Sequence, residues 1–127
     1  MIKIGISPGK GRGLYALTAF DKGTTIEAAP ALQLDTNDWQ KVEKSSLFPY
    51  VFAEPSNYCP TRADRSGYVV LGLQTFCNHD NLPNAEVHWQ KNGLGHWALL
   101  VALKSIQPDE EITIYYTNLE EYSDIKA

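Results

Sequence analysis

The chain has 127 residues, of which 43% are hydrophobic and 20% charged, and this length fits one packed domain over residues 1–127 but not two. Its formal net charge of −4 argues against a protein that binds nucleic acids directly through a basic face. Two cysteines, Cys59 and Cys77, are too few for a disulfide scaffold, so we expect free thiols.

Short strands and tight turns are predicted for the first part of the chain. Residues 3–6 favour a strand that ends at a Ser-Pro-Gly turn. Residues 14–20 and 24–27 flank an Asp-Lys-Gly turn, which predicts a hairpin with a glycine loop. The chain then continues extended over residues 28–34, where Pro30 favours an edge strand or a bulge.

One helix is predicted, over residues 35–46, with Thr36 or Asn37 as its N-terminal cap. Residues 47–67 contain several prolines and predict a loop that is longer than a simple connection requires. We therefore treat residues 35–67 as a helix followed by a variable insert.

The second half of the chain predicts more strands. Residues 68–76 form a strand pattern, and residues 85–90 and 96–103 flank an Asn-Gly turn, the strongest short signal for a hairpin. A last strand follows over residues 112–116, and residues 117–127 form a short C-terminal tail. The sequence thus predicts a mainly β domain of several small sheets with one short helix.

The last strand allows a prediction about side-chain direction. Because side chains alternate along a strand, Ile112, Ile114 and Tyr116 share one face, while Thr113 and Tyr115 share the other. The two aliphatic residues mark the first face as buried. We expect Tyr116 to point inward and its hydroxyl to have a polar partner.

Two polar segments contain candidate residues for catalysis or ligand binding. The Gly-Arg-Gly segment at residues 11–13 is a glycine turn or a place where the backbone approaches a ligand closely. The Asn-His-Asp segment at residues 78–80 contains metal-ligand types, but His88 and His96 do not complete a zinc spacing, so we expect no metal. No serine or cysteine stands in a nucleophile elbow, which argues against a hydrolase.

Taken together and in this order, the segments at residues 11–13, 78–84 and 109–116 resemble the SET domain family, above all the short stand-alone members from viruses and bacteria. The resemblance implies the SET β-clip fold with a C-terminal pseudoknot. It also implies transfer of a methyl group from S-adenosylmethionine to the side-chain amine of a lysine in a protein.

Residue roles follow from the same resemblance. Tyr116 matches the catalytic tyrosine of the family, and Tyr50 and Tyr115 are expected to bind the substrate lysine. The residues implied for binding S-adenosylmethionine are Lys10, Gly11, Arg12, Gly13, Asn78, His79, Tyr116 and Tyr122.

The resemblance also suggests partners. The substrate would be a lysine-rich protein, such as a histone tail or another basic protein. No cysteine cluster follows Tyr116, so residues 119–127 or the second subunit of a homodimer would have to close the lysine channel. The alternatives are a catalytically inactive SET-fold module that binds cofactor or a basic peptide, and a purely structural β domain.

Location is predicted from the absence of targeting patterns in the sequence. The longest apolar run, residues 97–103, is too short to cross a bilayer, and the first residues do not resemble a signal peptide. We therefore expect no membrane partner and a cytoplasmic protein. A viral or secreted source would place it in the interior or nucleus of a host cell.

Overall fold

A computed structural model of the protein describes residues 1–55 and 66–118. Within these ranges the chain forms nine β-strands, one α-helix and two 3-10 turns, so the fold is mainly β as predicted. The strands are β1 (Ile2–Ser7), β2 (Gly11–Ala16), β3 (Thr25–Leu34), β4 (Phe52–Ala53), β5 (Gly67–Val70), β6 (Asn78–His79), β7 (Ala85–Asn92), β8 (Gly95–Ala102) and β9 (Glu111–Ile114). The helix α1 spans Thr36–Val42, and the 3-10 turns span Phe48–Tyr50 and Leu73–Phe76.

The first sheet has the strand order β1-β2-β9-β6. Strands β1, β2 and β9 are antiparallel, whereas β9 and β6 run parallel, with Asn78 beside Thr113. The last strand of the described chain therefore lies in the middle of this sheet, between β2 and the start of the 78–84 loop. This is the position that the predicted pseudoknot assigns to the C-terminal segment.

The predicted hairpin between residues 14–20 and 24–27 is wrong. Strand β2 pairs with β1 and β9, and β3 belongs to the other sheet. Gly9, in the turn that closes the β1–β2 hairpin, and Gly11, the first residue of β2, both have positive φ, of 77° and 82°. The Asp-Lys-Gly turn instead carries the chain from one sheet to the other, and the Gly23 N–H donates to Ala102 O at 2.8 Å.

The second sheet is antiparallel, with the order β4-β5-β3-β8-β7. Its β7–β8 hairpin confirms the prediction, with the turn one residue further along than expected. Asn92 and Gly95 form the last pair, so Gly93 and Leu94 are the two loop residues.

Pro30 lies in an interior strand rather than at an edge, contrary to the prediction. Strand β3 can hold it because the pairing with β5 begins only at Ala31. The Pro30 carbonyl still accepts a hydrogen bond from Leu71 N–H at 2.9 Å. Because the regular β3–β5 pairing does not include Pro30, its lack of an N–H removes no hydrogen bond from that pairing. The irregularity in this strand lies between Thr25 and Glu27.

The predicted strand over residues 68–76 divides into a strand and a 3-10 turn. Strand β5 covers its first part, and the turn Leu73–Phe76 leads directly to the Asn-His segment. The Glu27 carboxylate holds this turn by accepting hydrogen bonds from Leu73 N–H at 3.0 Å and from the backbone N–H and side-chain amide of Gln74 at 3.0 and 2.9 Å. An acidic side chain on β3 thus fixes the approach to the polar loop.

The helix α1 is shorter than predicted and is capped by neither Thr36 nor Asn37. Asp35 is the cap, because its carboxylate accepts a hydrogen bond from Asp38 N–H at 2.8 Å. Trp39 is the buried residue of the helix and packs edge-on against Phe48, with ring centroids 5.8 Å apart. This contact fixes the helix on the following 3-10 turn.

The central core joins the two sheets. Its fully buried side chains include Leu14, Leu100, Ile106 and Ile112, and Tyr116 packs against its edge. Tyr116 also packs against a second cluster around Trp39, so it lies where two cores meet. Within the described residues, no helix combines the length and apolar character that a membrane span requires.

Candidate active site

Tyr116 lies two residues past the end of β9 and points inward, which confirms the prediction from side-chain alternation. Ile112 and Ile114 on the same face are 0% and 5% exposed, whereas Tyr115 is 57% exposed. The Tyr116 hydroxyl donates a hydrogen bond to the backbone carbonyl of Cys77 at 2.7 Å. The phenol is therefore held directly beside Asn78, the next residue in the chain.

His79 fixes the backbone of Tyr116. Its Nδ1 accepts a hydrogen bond from the Tyr116 N–H at 3.0 Å, so the ring proton is on Nε2, which donates to Asn81 Oδ1 at 2.8 Å. The imidazole also packs against both tyrosine rings, with centroid distances of 4.6 Å to Tyr115 and 5.4 Å to Tyr116. The histidine thus holds both tyrosines in place.

Asn78 connects this region with the Gly-Arg-Gly segment. It is 5% exposed, and its Nδ2 donates to Arg12 O at 3.0 Å and to Glu111 Oε2 at 2.9 Å. Both amide protons are used in these two bonds, so the side chain can offer only its carbonyl oxygen to a ligand.

Glu111 explains why residue 13 is a glycine. Its second carboxylate oxygen accepts a hydrogen bond from Ser7 Oγ at 2.9 Å. A Cβ on Gly13 would lie 2.5 Å from Glu111 Oε2, so that the carboxylate would have to shift, and it would make a tight contact of 3.0 Å with Asn78 Nδ2. Around Gly11, in contrast, a Cβ would meet no atom within 4 Å, which leaves its backbone open to a ligand.

Asn84 ties the loop to β9 with its side chain. Its Nδ2 donates to Glu111 O at 2.8 Å, and its Oδ1 accepts from Thr113 N–H at 2.9 Å. The amide therefore pairs with β9 as the backbone of a neighbouring strand would. It extends the short β6–β9 pairing and keeps the strand that leads to Tyr116 in register.

Aromatic rings lie next to the Gly-Arg-Gly segment. The Arg12 guanidinium carbon is 4.7 Å from the centroid of the Phe76 ring, and the Tyr50 ring is 5.9 Å from the same ring. The 3-10 turns that carry Tyr50 and Phe76 thus meet beside Arg12.

A cavity of about 240 Å³ opens beside Tyr116. Its aromatic lining consists of Tyr50, Phe52, Trp89, Tyr115 and Tyr116. The wall also includes four polar residues, Thr75, Glu86, Thr117 and Asn118, and the last of these is 2% exposed. The Asn118 Nδ2 has no hydrogen-bond partner in the described part of the chain. The cavity is thus lined mainly by apolar and aromatic residues with a few polar groups, as binding sites for small organic groups commonly are.

The structure brings together most of the residues predicted for the site. Arg12, Asn78, His79 and Tyr116 form one connected group, and Tyr50 and Tyr115 line the adjacent cavity. Lys10 is exposed in the β1–β2 turn, where its backbone N–H donates to Ser7 O at 2.9 Å. No hydrogen bond or ion pair within residues 1–55 and 66–118 joins the Lys10 side chain to the group.

Three predictions concern residues that the structure does not describe. Tyr122 and Cys59 lie outside the described residues, as does the tail over residues 119–127 that was expected to close the lysine channel. Cys77 is described and is a buried free thiol.

Some contributing residues were missed from the sequence. Glu111, Phe76 and Asn84 fell within the predicted segments 109–116, 68–76 and 78–84, each without a role of its own. The available signal for Glu111 was its position as the last of three acidic residues, directly before the aliphatic part of the strand. Nothing in the sequence shows that the Cys77 carbonyl receives the tyrosine hydroxyl.

Metal-ligand residue types do not cluster at this site. Among the residues that the structure describes, no group of three or more His, Cys, Asp or Glu side chains is placed to hold a metal ion. His88 instead pairs with Glu86 on the same strand, at 2.6 Å between Nε2 and Oε1.

Tyr116 points inward and is hydrogen-bonded to residues of the Cys-Asn-His segment, and the strand that leads to it, β9, lies inside the first sheet. The chain matches the SET domain over residues 11–117 and belongs to the SET domain family.

Individual relatives agree with this assignment. The chain is 29% identical over 110 residues to a Schizosaccharomyces pombe protein named histone-lysine N-methyltransferase, H3 lysine-37 specific, an alignment that covers 84% of this chain and 67% of the relative. It is also similar to the crystal structure of a candidate histone methyltransferase from Plasmodium falciparum, with a TM-score of 0.67, 26% identity, and coverage of 91% of this chain and 96% of the other.

A third similarity concerns the fold alone. The structure of a Neurospora SET domain histone lysine methyltransferase shares the fold with a TM-score of 0.68 at 20% identity, over 92% of this chain and 52% of the other. The mainly β SET fold predicted from the sequence is thus confirmed.

Proposed function

We propose that this protein transfers a methyl group from S-adenosylmethionine to the side-chain amine of a lysine in a basic protein substrate such as a histone. The position of Tyr116 carries the proposal, because this residue lines an aromatic cavity while its backbone is bonded to His79 of the Asn-His segment. Membership of the SET family and the relatives named as histone-lysine methyltransferases support the class of reaction.

The residues present fit S-adenosylmethionine as the methyl donor. Gly11 has open space above its backbone, Asn78 has a carbonyl oxygen left to accept a hydrogen bond from an ammonium group, and both lie in the segments that the hydrogen bond from Asn78 to Arg12 joins. Gly11, Arg12, Asn78 and His79 would hold the donor, together with the backbone of Lys10 and Gly13. When bound, it supplies a methyl group on a positively charged sulfur, which a neutral amine can attack.

The aromatic cavity would prepare the lysine for this reaction. A charged ammonium has no lone pair, so the amine must lose its proton before it can form the new nitrogen–carbon bond. Removal from water in a cavity lined by Phe52, Trp89 and Tyr116 favours the neutral amine. The rings also restrict the direction of the side chain, so that much of the catalytic effect is positioning.

Tyr116 would orient the amine through its oxygen. Because the hydroxyl proton is donated to the Cys77 carbonyl, the phenol oxygen acts as an acceptor toward an amine N–H. The nitrogen lone pair is then directed away from the tyrosine. The hydrogen bond from the Tyr116 N–H to His79 Nδ1 fixes the backbone that carries this phenol.

The test is methyl transfer from radiolabelled S-adenosylmethionine to histones and lysine-rich peptides. We expect transfer by the native protein and a loss of roughly a hundred- to a thousandfold in Tyr116→Phe, since one positioned hydroxyl is removed. Tyr15→Phe is the matched control, because it removes a phenol that also donates to a backbone carbonyl, Ile6 O at 2.7 Å, on an exposed part of the first sheet.

Two outcomes would contradict the proposal. Equal transfer by the native protein and Tyr116→Phe would remove the tyrosine from the mechanism. Calorimetric binding of S-adenosylmethionine without transfer to any protein or peptide would instead identify an inactive SET-fold binding module.

A further inference from the structure

Strand β1 is an edge of the first sheet, and within residues 1–55 and 66–118 it pairs with β2 alone. Edge strands present a row of unpaired N–H and C=O groups to which another strand can bind. Among the described edge strands, β4 and β6 have only two residues each, and β7 carries the exposed charges of Glu86 and Lys91, which protect an edge. Strand β1 has six residues and a single charged side chain, Lys3, so it is the edge most open to another strand.

The hydrogen-bond pattern shows which residues of β1 face this open side. Met1 O accepts a hydrogen bond from Leu17 N–H at 2.8 Å, and antiparallel pairing alternates, so the odd-numbered residues of β1 bond toward β2. The even-numbered residues direct their N–H and C=O groups away from β2. These are Ile2, Ile4 and Ile6. The Ile6 carbonyl agrees with this direction, because it accepts a hydrogen bond from the Tyr15 hydroxyl at 2.7 Å.

The side chains of the same three isoleucines lie on one face of the sheet, because they alternate with the other residues of β1. Ile2 and Ile4 pack against the central core, whereas Ile6 is 85% exposed. The apolar row of β1 therefore runs from the core to the open surface.

We propose that β1 binds β1 of a second copy of this chain as an antiparallel strand, so that the two first sheets join into one sheet about a twofold axis. With the axis at Ile4, each Ile2 lies opposite Ile6 of the second copy, and all outward N–H and C=O groups of the three isoleucines are paired. The same register places Lys3 opposite Gly5. An axis at Lys3 would instead oppose two positive charges and leave Ile6 unpaired.

The surroundings of β1 fit this register. The bond from Tyr15 does not block it, because the Ile6 carbonyl oxygen has two lone pairs and can accept a second hydrogen bond. The Tyr15 ring lies against Gly5, where a Cβ would be 2.8 Å from a ring carbon. Lys3 of the second copy would therefore approach an aromatic ring, which attracts a cation. Ile6 of each copy would be covered by Ile2 of the other.

Sedimentation equilibrium of the full chain tests the pairing, together with amide hydrogen exchange over a range of protein concentrations. We expect an equilibrium between monomer and dimer. Exchange at the Ile4 and Ile6 amides should slow as the protein concentration rises, because these N–H groups become hydrogen-bonded in the dimer. The amides of β7, the other long edge strand, should show no such change.

Two substitutions test the backbone and the apolar face separately. Ile4→Pro removes an outward N–H from each copy while sparing the β1–β2 bonds, so it should weaken dimerisation by roughly ten- to a hundredfold. Ile4→Val keeps the donor and is its control. Ile6→Lys leaves the backbone donors in place and should also weaken dimerisation. Its matched control is Leu94→Lys, because Leu94 is equally exposed, at 85%, in the β7–β8 loop.

Thermal unfolding establishes that each variant is folded, and Ile6→Lys and the exchange data decide the matter if Ile4→Pro is not. A native chain that stays monomeric at every concentration would show that β1 does not bind a second copy. A dimer in which the Ile4 and Ile6 amides exchange as fast as in the monomer, or which Ile6→Lys leaves unchanged, would place the interface elsewhere. Methyl transfer can succeed or fail in each case, because no residue of β1 lines the aromatic cavity.

Discussion

Gly13 shows how a single missing side chain can organise a site. The space beside its Cα is filled by the Glu111 carboxylate and the Asn78 amide, which bond to each other and tie β9 to β2. Glu111 cannot withdraw freely, since Ser7 also donates to it. The glycine is therefore needed by the protein's own hydrogen bonds, whatever ligand approaches the neighbouring backbone.

Gly13→Ala should accordingly lower the free energy of unfolding by about 1–3 kcal/mol, because the methyl group forces the carboxylate to move and weakens its bond to Asn78. Urea unfolding measures this change. Gly93→Ala is the control, since a Cβ there meets no atom within 4 Å and Gly93 does not have positive φ. Similar losses in both variants would show that chain flexibility, not the carboxylate, accounts for the effect.

At single residues, the sequence was most informative where a local rule applies. Alternation along β9 was enough to place Tyr116 inward and Tyr115 outward. The partners of a polar side chain obey no such rule, because they come from distant segments. Ser7 and Glu111 are 104 positions apart, and no pattern in either segment indicates the other.

Strand β9 depends on the side chain of Asn84. The parallel pairing with β6 is only two residues long, and the Asn84 amide continues it by bonding to Glu111 O and Thr113 N–H. A side chain thus replaces part of a strand at the place where the chain turns toward Tyr116.

Asn84→Ala should destabilise the protein by about 1–3 kcal/mol, because it leaves a partly buried donor and a partly buried acceptor of β9 without partners. Hydrogen exchange should accelerate most at the Thr113 amide, which loses its acceptor directly. Asn37→Ala, an exposed position in α1, should change neither quantity. Unchanged protection at Thr113 in Asn84→Ala would show that β9 does not depend on this amide.

Elements formed by neighbouring residues were predicted better than elements formed across the chain. The β7–β8 hairpin follows from its Asn-Gly signal and is present. The false hairpin at residues 14–20 and 24–27 shows the opposite case, because a glycine turn between two apolar runs does not reveal that the runs enter different sheets. The insertion of β9 between β2 and β6 was available only from the family resemblance.

The stability of the whole molecule is linked to pH through Tyr68. Its hydroxyl donates a hydrogen bond to Glu54 Oε2 at 2.6 Å, and its ring stacks on that of Trp89 in β7, with the ring centroids 4.4 Å apart. Burial, reinforced by the hydrogen bond and the negative charge of Glu54, raises the pKa of Tyr68 to about 12. The phenol of an unfolded chain has a pKa of about 10.

Tyr68 should therefore make folding less favourable as pH rises from about 10 to about 12, since over this range the unfolded chain releases a proton that the folded protein retains. Below about pH 10 the folded and unfolded states both hold the proton, so the full contribution of Tyr68 to the free energy of unfolding is present. Urea unfolding across this range should show a steeper fall for the native protein than for Tyr68→Phe, while Tyr15→Phe serves as the exposed control. Parallel curves for native protein and Tyr68→Phe would contradict the assignment.

The place of β9 has a consequence for how the protein is made. Ribosomes synthesise this strand near the end of the described chain, yet it fills the middle of the first sheet. A chain interrupted before Glu111 would have the β1–β2 hairpin on one side of a gap and Asn78 on the other, without the strand that leads to Tyr116. The first sheet can therefore close only after β9 has been synthesised, although the β1–β2 hairpin that it joins is made first.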